Sequence, residues 1–331
     1  MSNVDQQHIL FVFPGQGSQY RGMGSDLCQE FATARRIYEE ASAVLGYDIA
    51  KLSFEDADDQ LNLTRYTQPA LLTHSIACLE VFRELTDNRV IPAVAAGHSL
   101  GEYSALVAVG SLSFAEALLL VRRRGEFMGT YGEGEMLAFP LEVETVRPLA
   151  EKHYCGIGGC NLPDQTVVGG RAEDLDRVAE EVAASFPRKR AVRLKTEGAF
   201  HTYLMVEAAR HFRPVLDAAE MAVPPIRVLS NYTGDYHLPD AHIIKSRLFF
   251  QLFHPVRWIW NMRTALNDGI DTFVEFGGGI GTGETPDAKR PNLESILKKA
   301  SRSVERETRY YPAINSRTLR ETAAAFDPSN A

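Results

Sequence analysis

The residues with the clearest capacity for chemistry are Ser99 and His201. Ser99 lies at the centre of the motif GHSLG, residues 97–101, which follows a short apolar segment and precedes a helical pattern. In that context G-x-S-x-G predicts a sharp turn that presents a serine hydroxyl at the start of a helix. The backbone N–H of Leu100 is then placed to bind an oxyanion. The pattern predicts a nucleophilic serine, with a chance match as the alternative.

A serine nucleophile needs a base, and the chain contains nine histidines. His98 adjoins the serine, so its side chain is expected to point elsewhere. His8 is near the terminus, and His74 lies inside a helical pattern typical of a buried histidine. His201 is the best candidate, because a helix N-terminus just after it favours a neutral imidazole. Sequence position alone does not show which histidine lies near Ser99.

The composition excludes several classes of protein. Hydrophobic residues make up 45% and charged residues 24%, which is typical of a globular chain and not of a disordered, collagen-like or coiled-coil one. A net charge of −8 argues against a whole-surface attraction to nucleic acid or to an anionic membrane. The four cysteines contain no CxxC pair and match no common zinc or redox pattern, which indicates reduced thiols.

Neither a targeting signal nor a membrane span is predicted. The start, Met1 to Ile9, is polar, whereas a signal peptide has a basic start and a longer apolar run. No apolar stretch reaches the roughly 18 residues of a spanning helix. Without a dinucleotide fingerprint, a P-loop or metal-like spacing, we expect no bound cofactor and no metal. We expect a cytoplasmic protein.

Alternating strands and helices must position the serine. Strands are predicted at 9–13, 90–96, 226–230 and 271–276, and helices near 26–44, 68–86, 102–109, 113–128, 202–218 and 241–252. This alternation indicates an α/β fold with a parallel sheet.

The order of elements changes near residue 130. Strands are predicted at 135–140, 154–159, 165–169 and 190–194, with helices at 143–152 and 172–185. This β-α-β-β-α-β order is the ferredoxin-like pattern. The sequence therefore predicts a large α/β domain of residues 1–129 and 199–331, interrupted by a small α+β subdomain of residues 130–198. A cleft between the two is the default ligand site.

Several motifs together resemble a known family. The segments FPGQGSQ at 13–19, GHSLGE at 97–102 and Phe200-His201 are similar, in order and separation, to malonyl-CoA:acyl carrier protein transacylases and polyketide synthase acyltransferase domains. Further matches are TQPA at 67–70, Arg124-Gly125 with Met128, Asn161, Gln251 with PVRW at 255–258, and EFG at 275–277. The resemblance extends from residue 11 to residue 280.

The resemblance implies a hydrolase-like α/β domain with a ferredoxin-like insertion, and ping-pong acyl transfer through a serine ester. In that mechanism Ser99 is the nucleophile and His201 is the base. The histidine would be oriented by a backbone carbonyl near Gln251 rather than by an acidic residue. The oxyanion donors would be the backbone N–H groups of Gln16 and Leu100.

The resemblance also implies malonyl-CoA as acyl donor and the phosphopantetheine thiol of an acyl carrier protein as acceptor. Arg124 would hold the free carboxylate of the malonyl group, because a guanidinium fork matches a carboxylate. Arg122 and Arg123 fit better as solvated charges at a helix end. A substituted or unusual malonyl group is the second choice of substrate.

Further substrate contacts are implied for Gln68, Met128 and Asn161. Phe200 beside His201 resembles the malonyl-type pattern, in which a bulky ring fills the space of a 2-substituent. Tyr203 departs from the family pattern and is expected to border the pocket or the carrier-protein groove, which leaves the acyl group open.

The segment Glu275 to Leu293 is rich in glycine and resembles free-standing acyltransferases that serve polyketide or hybrid assembly lines. By composition alone it also fits a flexible surface loop. Docking of an acidic carrier protein to this acidic chain needs a local basic face. Residues 188–195 and residues 289–302 are the two candidates, and each also fits an ordinary solvated face.

Some alternative functions would use the same serine–histidine chemistry, and others would not. An editing hydrolase, or an enzyme that moves an acyl group between two carrier proteins, would use the same serine and histidine. An ordinary esterase would use a serine–histidine–acid triad, and the Gln16 loop and the ferredoxin-like insertion count against it. A non-catalytic docking subunit would not need an intact serine–histidine pair.

Overall fold

The structure, a computed structural model, describes residues 8–327 of the 331-residue chain. The expectation drawn from the polar start of the chain lies largely outside the described residues. The strands are β1 (Ile9–Phe13), β2 (Val94–Gly97), β3 (Glu135–Phe139), β4 (Gly156–Leu162), β5 (Gln165–Gly170), β6 (Val192–Leu194), β7 (Arg227–Ser230), β8 (Asp235–Tyr236), β9 (Thr272–Phe276) and β10 (Arg309–Ala313). The helices are α1 (Ser25–Glu30), α2 (Ala32–Leu45), α3 (Ile49–Phe54), α4 (Thr64–Leu85), α5 (Gly101–Ala108), α6 (Phe114–Tyr131), α7 (Val143–Lys152), α8 (Ala172–Ser185), α9 (Val206–Ala218), α10 (Ala241–Gln251), α11 (Trp258–Asn267), α12 (Glu294–Ser303) and α13 (Ser316–Ala325).

A six-stranded sheet in the order β10-β9-β1-β2-β7-β8 forms the centre of the larger part. Its neighbouring strands are parallel except for the pair β7–β8. Every residue of β1 and of β9 is buried, as expected for parallel strands covered on both faces. The carboxyl ends of β1, β2, β7 and β9 lie at one edge of this sheet, which is where α/β proteins bind ligands.

A four-stranded antiparallel sheet in the order β4-β5-β3-β6 forms the smaller part, with α7 and α8 packed against it. This order and the two helices are those of the ferredoxin-like motif. The predicted fold class, an α/β domain with a parallel sheet and a ferredoxin-like insertion, is confirmed. Helix α6 continues to Tyr131, across the predicted boundary at 129, so the exact limits of the subdomain stay a prediction.

Two backbone hydrogen bonds join the small sheet to the large part. The N–H of Cys160 in β4 donates to the carbonyl of Val256 at 2.9 Å, and the N–H of Val256 donates to the carbonyl of Gly158 at 3.0 Å. These hydrogen bonds hold β4 against the segment after α10, so β4 forms one wall of the cleft between the two sheets.

Several elements differ from the prediction. The helix predicted over 26–44 is interrupted at Phe31, whose extended backbone (φ −116°, ψ 123°) separates α1 from α2. The strand predicted over 90–96 begins only at Val94, because Pro92 has no N–H to donate to a ladder. The C-terminal elements α11, α12, β10 and α13 were not predicted, although β10 completes an edge of the large sheet.

Candidate active site

Ser99 occupies a strained turn between β2 and α5. Its φ is +52°, a left-handed value that is uncommon for a residue with a side chain. The two flanking glycines are required by space. A Cβ on Gly97 would lie 1.8 Å from the carbonyl carbon of Gly101, and a Cβ on Gly101 would lie 2.2 Å from the carbonyl oxygen of Phe13. The spacing of the motif therefore follows from the close approach of strand and helix.

His201 lies against the serine. Its Nε2 is 2.7 Å from Ser99 Oγ, and its Nδ1 is 2.7 Å from the backbone carbonyl oxygen of Gln251. A carbonyl only accepts, so Nδ1 carries the hydrogen and Nε2 is left to accept the serine proton. Burial, and after it the nearby charge of Arg124, lower the pKa of His201 to about 3. The imidazole is therefore neutral, as a general base requires.

Arg124 extends from α6 to the same point. It is 1% exposed, and its Nη2 donates to Ser99 Oγ at 3.2 Å and to Gln251 Oε1 at 3.1 Å. Burial lowers the pKa of Arg124, while the Tyr103 and Glu102 side chains oppose that shift. Among residues 8–327 no carboxylate forms an ion pair with it, and its Nε has no hydrogen-bond partner there. A buried guanidinium in this state favours an anionic ligand.

The two arginines that precede Arg124 in the sequence lie in different surroundings. Arg122 and Arg123 both bond to Glu126, one turn further along α6, and Arg123 lies on the solvent side. The expectation of solvated charges agrees with the contacts of Arg123, whereas Arg122 is half-buried, and neither residue lies at a helix end because α6 continues to Tyr131. The three consecutive arginines therefore have two separate environments, because one helical turn divides them between the surface and the cleft.

A cavity of about 730 Å³ opens beside these groups, between the two sheets. Residues singled out by the sequence that line it are Ser99, His201, Arg124, Gln16, Leu100, Met128, Asn161 and Phe200. The backbone N–H groups of Gln16 and Leu100 have no acceptor within residues 8–327, so both are available to an oxyanion. Asn161 Oδ1 lies 2.7 Å from His98 Nε2, so His98 is directed to Asn161 and not to the serine.

Two predicted substrate contacts are placed elsewhere. Tyr203 is not among the residues that line the cavity: it is 51% exposed, and its hydroxyl donates to the carbonyl of Tyr154 at 2.8 Å, so the carrier-protein groove, the other position expected for it, stays a prediction. Gln68 is buried in α4, where its Nε2 approaches Met128 Sδ at 3.4 Å. Gln68 thus packs behind a wall residue of the cavity, because the helical spacing turns it into the core rather than towards the cleft.

Three further side chains surround the turn at residues 97–101, which we call the elbow, and were not assigned a role from the sequence. Asn231 Oδ1 accepts from the N–H of Ser99 at 2.6 Å, and Asn231 Nδ2 donates to the carbonyl of Gly97 at 2.7 Å. Glu102 and His237 lie behind Asn231. One signal was available for Asn231, because it directly follows the predicted strand 226–230 at the carboxyl edge of the sheet.

Neither a metal-binding cluster nor a membrane-spanning helix is present among residues 8–327. No cluster of three or more histidine, cysteine, aspartate or glutamate side chains that could hold a metal is present within the described part of the chain. No helix between residues 8 and 327 is both long and apolar enough to cross a membrane.

The acyl transferase domain family matches residues 10–275, and the chain belongs to this family. The malonyl CoA-acyl carrier protein transacylase of Bacillus subtilis is 40% identical over 280 residues, which cover 82% of this chain and 87% of that protein. The polyketide biosynthesis malonyl CoA-acyl carrier protein transacylase BaeC of Bacillus velezensis is 36% identical over 281 residues, with 82% and 93% covered. A solved malonyl-transacylase, in complex with a type II PKS acyl-carrier protein, superposes with a TM-score of 0.85 at 30% identity, covering 96% of this chain and 99% of that one.

Proposed function

We propose that this protein transfers a malonyl group from CoA to the phosphopantetheine thiol of an acyl carrier protein. The observation that supports it most is the buried guanidinium of Arg124, 3.2 Å from the nucleophile and without a carboxylate partner within residues 8–327. The family and the relatives in both fatty acid and polyketide biosynthesis support the same reaction. We place it in the cytoplasm, with no bound cofactor.

In the first half-reaction His201 Nε2 takes the proton of Ser99 as Oγ attacks the thioester carbonyl. The backbone N–H groups of Gln16 and Leu100 stabilise the resulting oxyanion, and one such donor contributes roughly 10²–10³ in rate. The C–S bond then breaks, and the proton on His201 passes to the CoA sulfur. The products are free CoA and a malonyl ester on Ser99.

The second half-reaction reverses these steps with a new thiol. The phosphopantetheine thiol of the carrier protein gives its proton to His201 and attacks the ester carbonyl. The C–O bond breaks, and the proton returns to Ser99 Oγ. Water competes at this stage, so hydrolysis stays low only if the occupied cavity excludes water between departure of CoA and arrival of the carrier.

Substrate choice rests on charge first and on shape second. A hydrogen bond from Arg124 to a carboxylate contributes about 1.5–3 kcal/mol, which is a preference of roughly 10- to 150-fold for a dicarboxylic thioester. Phe200 and Met128 line the cavity and restrict the space beside the acyl group. Such apolar contacts distinguish one methylene by only about 1–3 kcal/mol, so a substituted malonyl group is the second candidate.

We place carrier-protein docking on the face formed by residues 188–195 of the small subdomain. This face is continuous with the cavity, because Lys195 lines it. Arg193 is partly neutralised by Glu135 and Asp176. In the alternative face at 289–302, Lys298 is paired within its own helix. Positive charge beside the cavity mouth suits an acidic partner that must deliver a thiol into it.

The test is intact-mass analysis after incubation with malonyl-CoA, methylmalonyl-CoA or acetyl-CoA. We expect a malonyl adduct on the wild type and none on Ser99→Ala. Arg124→Ala should slow malonylation by roughly 10- to 150-fold. Arg123→Ala is the matched control, since Arg123 is exposed and bonded to Glu126, and it should react like the wild type.

Addition of a holo carrier protein then distinguishes transfer from hydrolysis. Appearance of malonyl-carrier protein supports the proposal, whereas release of free malonate favours an editing hydrolase. A protein that forms no adduct from any CoA but deacylates acyl-carrier proteins would overturn malonyl transfer from CoA.

A further inference from the structure

A buried polar cluster lies beneath the elbow, on the side away from the cavity. We call Glu102, Asn231, His237 and Gln251 the Glu102 cluster. Glu102 and Asn231 are 0% exposed, Gln251 is 1% exposed and His237 is 8% exposed. Burial of so many polar side chains is unfavourable unless each is held by hydrogen bonds. The reaction steps given above use only the backbone carbonyl of Gln251, so the rest of the cluster calls for its own account.

Glu102 is the centre of the cluster. Its Oε2 accepts from the N–H of Asn231 at 2.9 Å and from Nε2 of Gln251 at 2.8 Å. Its Oε1 lies 2.7 Å from Nε2 of His237. The backbone N–H and the side-chain amide only donate here, and an ionised carboxylate only accepts. His237 therefore supplies the third donor to a carboxylate.

The outer members of the cluster hold the nucleophile. Asn231 accepts from the N–H of Ser99 at 2.6 Å, and Gln251 Nε2 donates to the carbonyl of Ser99 at 3.1 Å. Both backbone polar groups of a residue with φ +52° are thus held by side chains of residues bound to Glu102, Asn231 through its backbone N–H and Gln251 through its side-chain amide. A strained backbone of this kind persists only where its surroundings determine it.

The same cluster reaches Arg124. Gln251 Oε1 accepts from Arg124 Nη2 at 3.1 Å, while its Nε2 faces Glu102. A guanidinium only donates and a carboxylate only accepts, so the amide of Gln251 has a single orientation. Glu102 is therefore linked through the Gln251 amide to Arg124, the group that would hold the substrate carboxylate. The charge of Glu102 also opposes the lowering of the Arg124 pKa by burial.

We propose that His237 and Glu102 are positioning residues for the reaction. His237 fixes the carboxylate of Glu102, and Glu102 fixes Asn231 and Gln251, which hold the Ser99 backbone and Arg124. The arginine part of this proposal rests on the proposed malonyl transfer, whereas the serine part does not. His237 lies in the loop after β8, remote in sequence from the motifs of the site, and it does not line the cavity.

The test compares His237→Phe, which removes the donor, with His237→Gln, which keeps a donor near the position of Nε2. His153→Phe is the control, because His153 makes a similar contact to Glu181 at 2.8 Å in the small subdomain. Three readouts are made on each full-length variant. They are thermal unfolding, the rate of Ser99 labelling by a fluorophosphonate, and kcat and KM with malonyl-CoA and with acetyl-CoA.

We expect His237→Phe to lower kcat/KM for malonyl-CoA by about 10- to 100-fold, the loss typical of a misplaced reacting group. Fluorophosphonate labelling and acetyl transfer should fall less, because neither reagent has a free carboxylate for Arg124 to bind. His237→Gln should recover most of the malonyl rate and the preference for malonyl-CoA over acetyl-CoA. His153→Phe should react like the wild type.

Other results would overturn the proposal. One is a folded His237→Phe variant with wild-type kinetics. The other is an equal loss in malonyl transfer, acetyl transfer and fluorophosphonate labelling that His237→Gln does not rescue. If His237→Phe does not fold, Glu102→Gln is tested instead. The glutamine amide has the shape of the carboxylate, but its NH₂ group would face a hydrogen-bond donor of the cluster. If the wild type labels with fluorophosphonate but takes no malonyl group, malonyl transfer fails. In that case the rates of fluorophosphonate labelling of the His237 variants still test whether the cluster positions Ser99.

Discussion

The two members of the Ser99–His201 pair are held by different regions and by different kinds of contact. Ser99 lies between β2 and α5 in the large sheet, where backbone packs directly on backbone. A Cβ on Gly101 would lie 2.2 Å from the carbonyl oxygen of Phe13 and 2.8 Å from that of Pro14.

His201 belongs to the segment that returns from the small sheet to the large one. There the backbone of β5 packs on small side chains. A Cβ on Gly169 would lie 2.9 Å from Ala199 Cβ and 2.9 Å from Thr202 Cγ2. Contacts with side-chain atoms yield more readily than contacts with a strand carbonyl, although β4 also meets backbone here, since a Cβ on Gly158 would lie 2.8 Å from the carbonyl oxygen of Phe200. We infer that the large sheet fixes the serine and that the histidine adjusts to it.

Gly101→Ala should have the largest effect. The added methyl meets a β1 carbonyl that is itself part of the sheet, so either β1 or α5 must move. We expect a loss of more than about 3 kcal/mol in the free energy of unfolding, at the upper end for overpacked cores. Denaturant unfolding measures this, and fluorophosphonate labelling reports the serine in any protein that still folds.

Gly129→Ala in α6 is the control for that substitution. Its Cβ would have no neighbour closer than 3.8 Å, the exposed Glu197 carboxylate, so stability should be kept or raised. A stable and fully reactive Gly101→Ala would show that the backbone at the elbow is not fixed, and the contrast between the two regions would fail.

Gly169→Ala should have an intermediate effect. The methyl displaces the segment 199–202 rather than a strand, so the protein should fold, with a loss of about 1–3 kcal/mol. The His201 ring would move relative to Ser99, and acylation should slow by roughly 10-fold or more. Stopped-flow release of CoA measures the rate. If this variant were less stable than Gly101→Ala, the order of rigidity would be reversed.

The same contrast explains what the sequence could predict. The elbow is a local structure in which five consecutive residues join the end of a strand to the start of a helix. The motif at 97–101 was therefore enough to predict it. The ferredoxin-like order of the small sheet was also predicted from local periodicity. The contact between Ser99 and His201 spans 102 residues and depends on how the two sheets pack, so the base followed from resemblance rather than from pattern.

The unpredicted parts share a physical cause. Asn231 and Glu102 meet across 129 residues, and His237 and Glu102 across 135, so no local pattern contains these bonds. Proximity to His201 in sequence did not show whether Tyr203 borders the pocket or the carrier-protein groove, because the chain changes direction at His201, whose φ is +63°. Edge strand β10 was missed because only Ala313 of its five residues is buried, so it lacks the apolar run that identified β1 and β9.

Gly159→Ala should have the smallest effect on the fold and a selective one on the reaction. Its Cβ would meet Asn161 Oδ1 at 3.6 Å and Val167 Cβ at 3.8 Å, both ordinary contacts. The free energy of unfolding should rise by about 0.4–1 kcal/mol, because alanine restricts the unfolded chain more than glycine does. Thermal and denaturant unfolding measure this, with Gly169→Ala in the next strand as the comparison.

Gly159 also lines the cavity, so the added methyl takes space from the ligand. Malonyl transfer should be nearly unchanged, whereas methylmalonyl transfer should slow by roughly 10-fold, the usual effect of one methyl group in an apolar pocket. Competition between the two CoA esters, read by intact mass, measures the ratio directly. An unchanged ratio would mean that β4 contacts the pantetheine arm rather than the acyl group. The small sheet would then guide the thiol, and the large part alone would select the acyl group through Arg124.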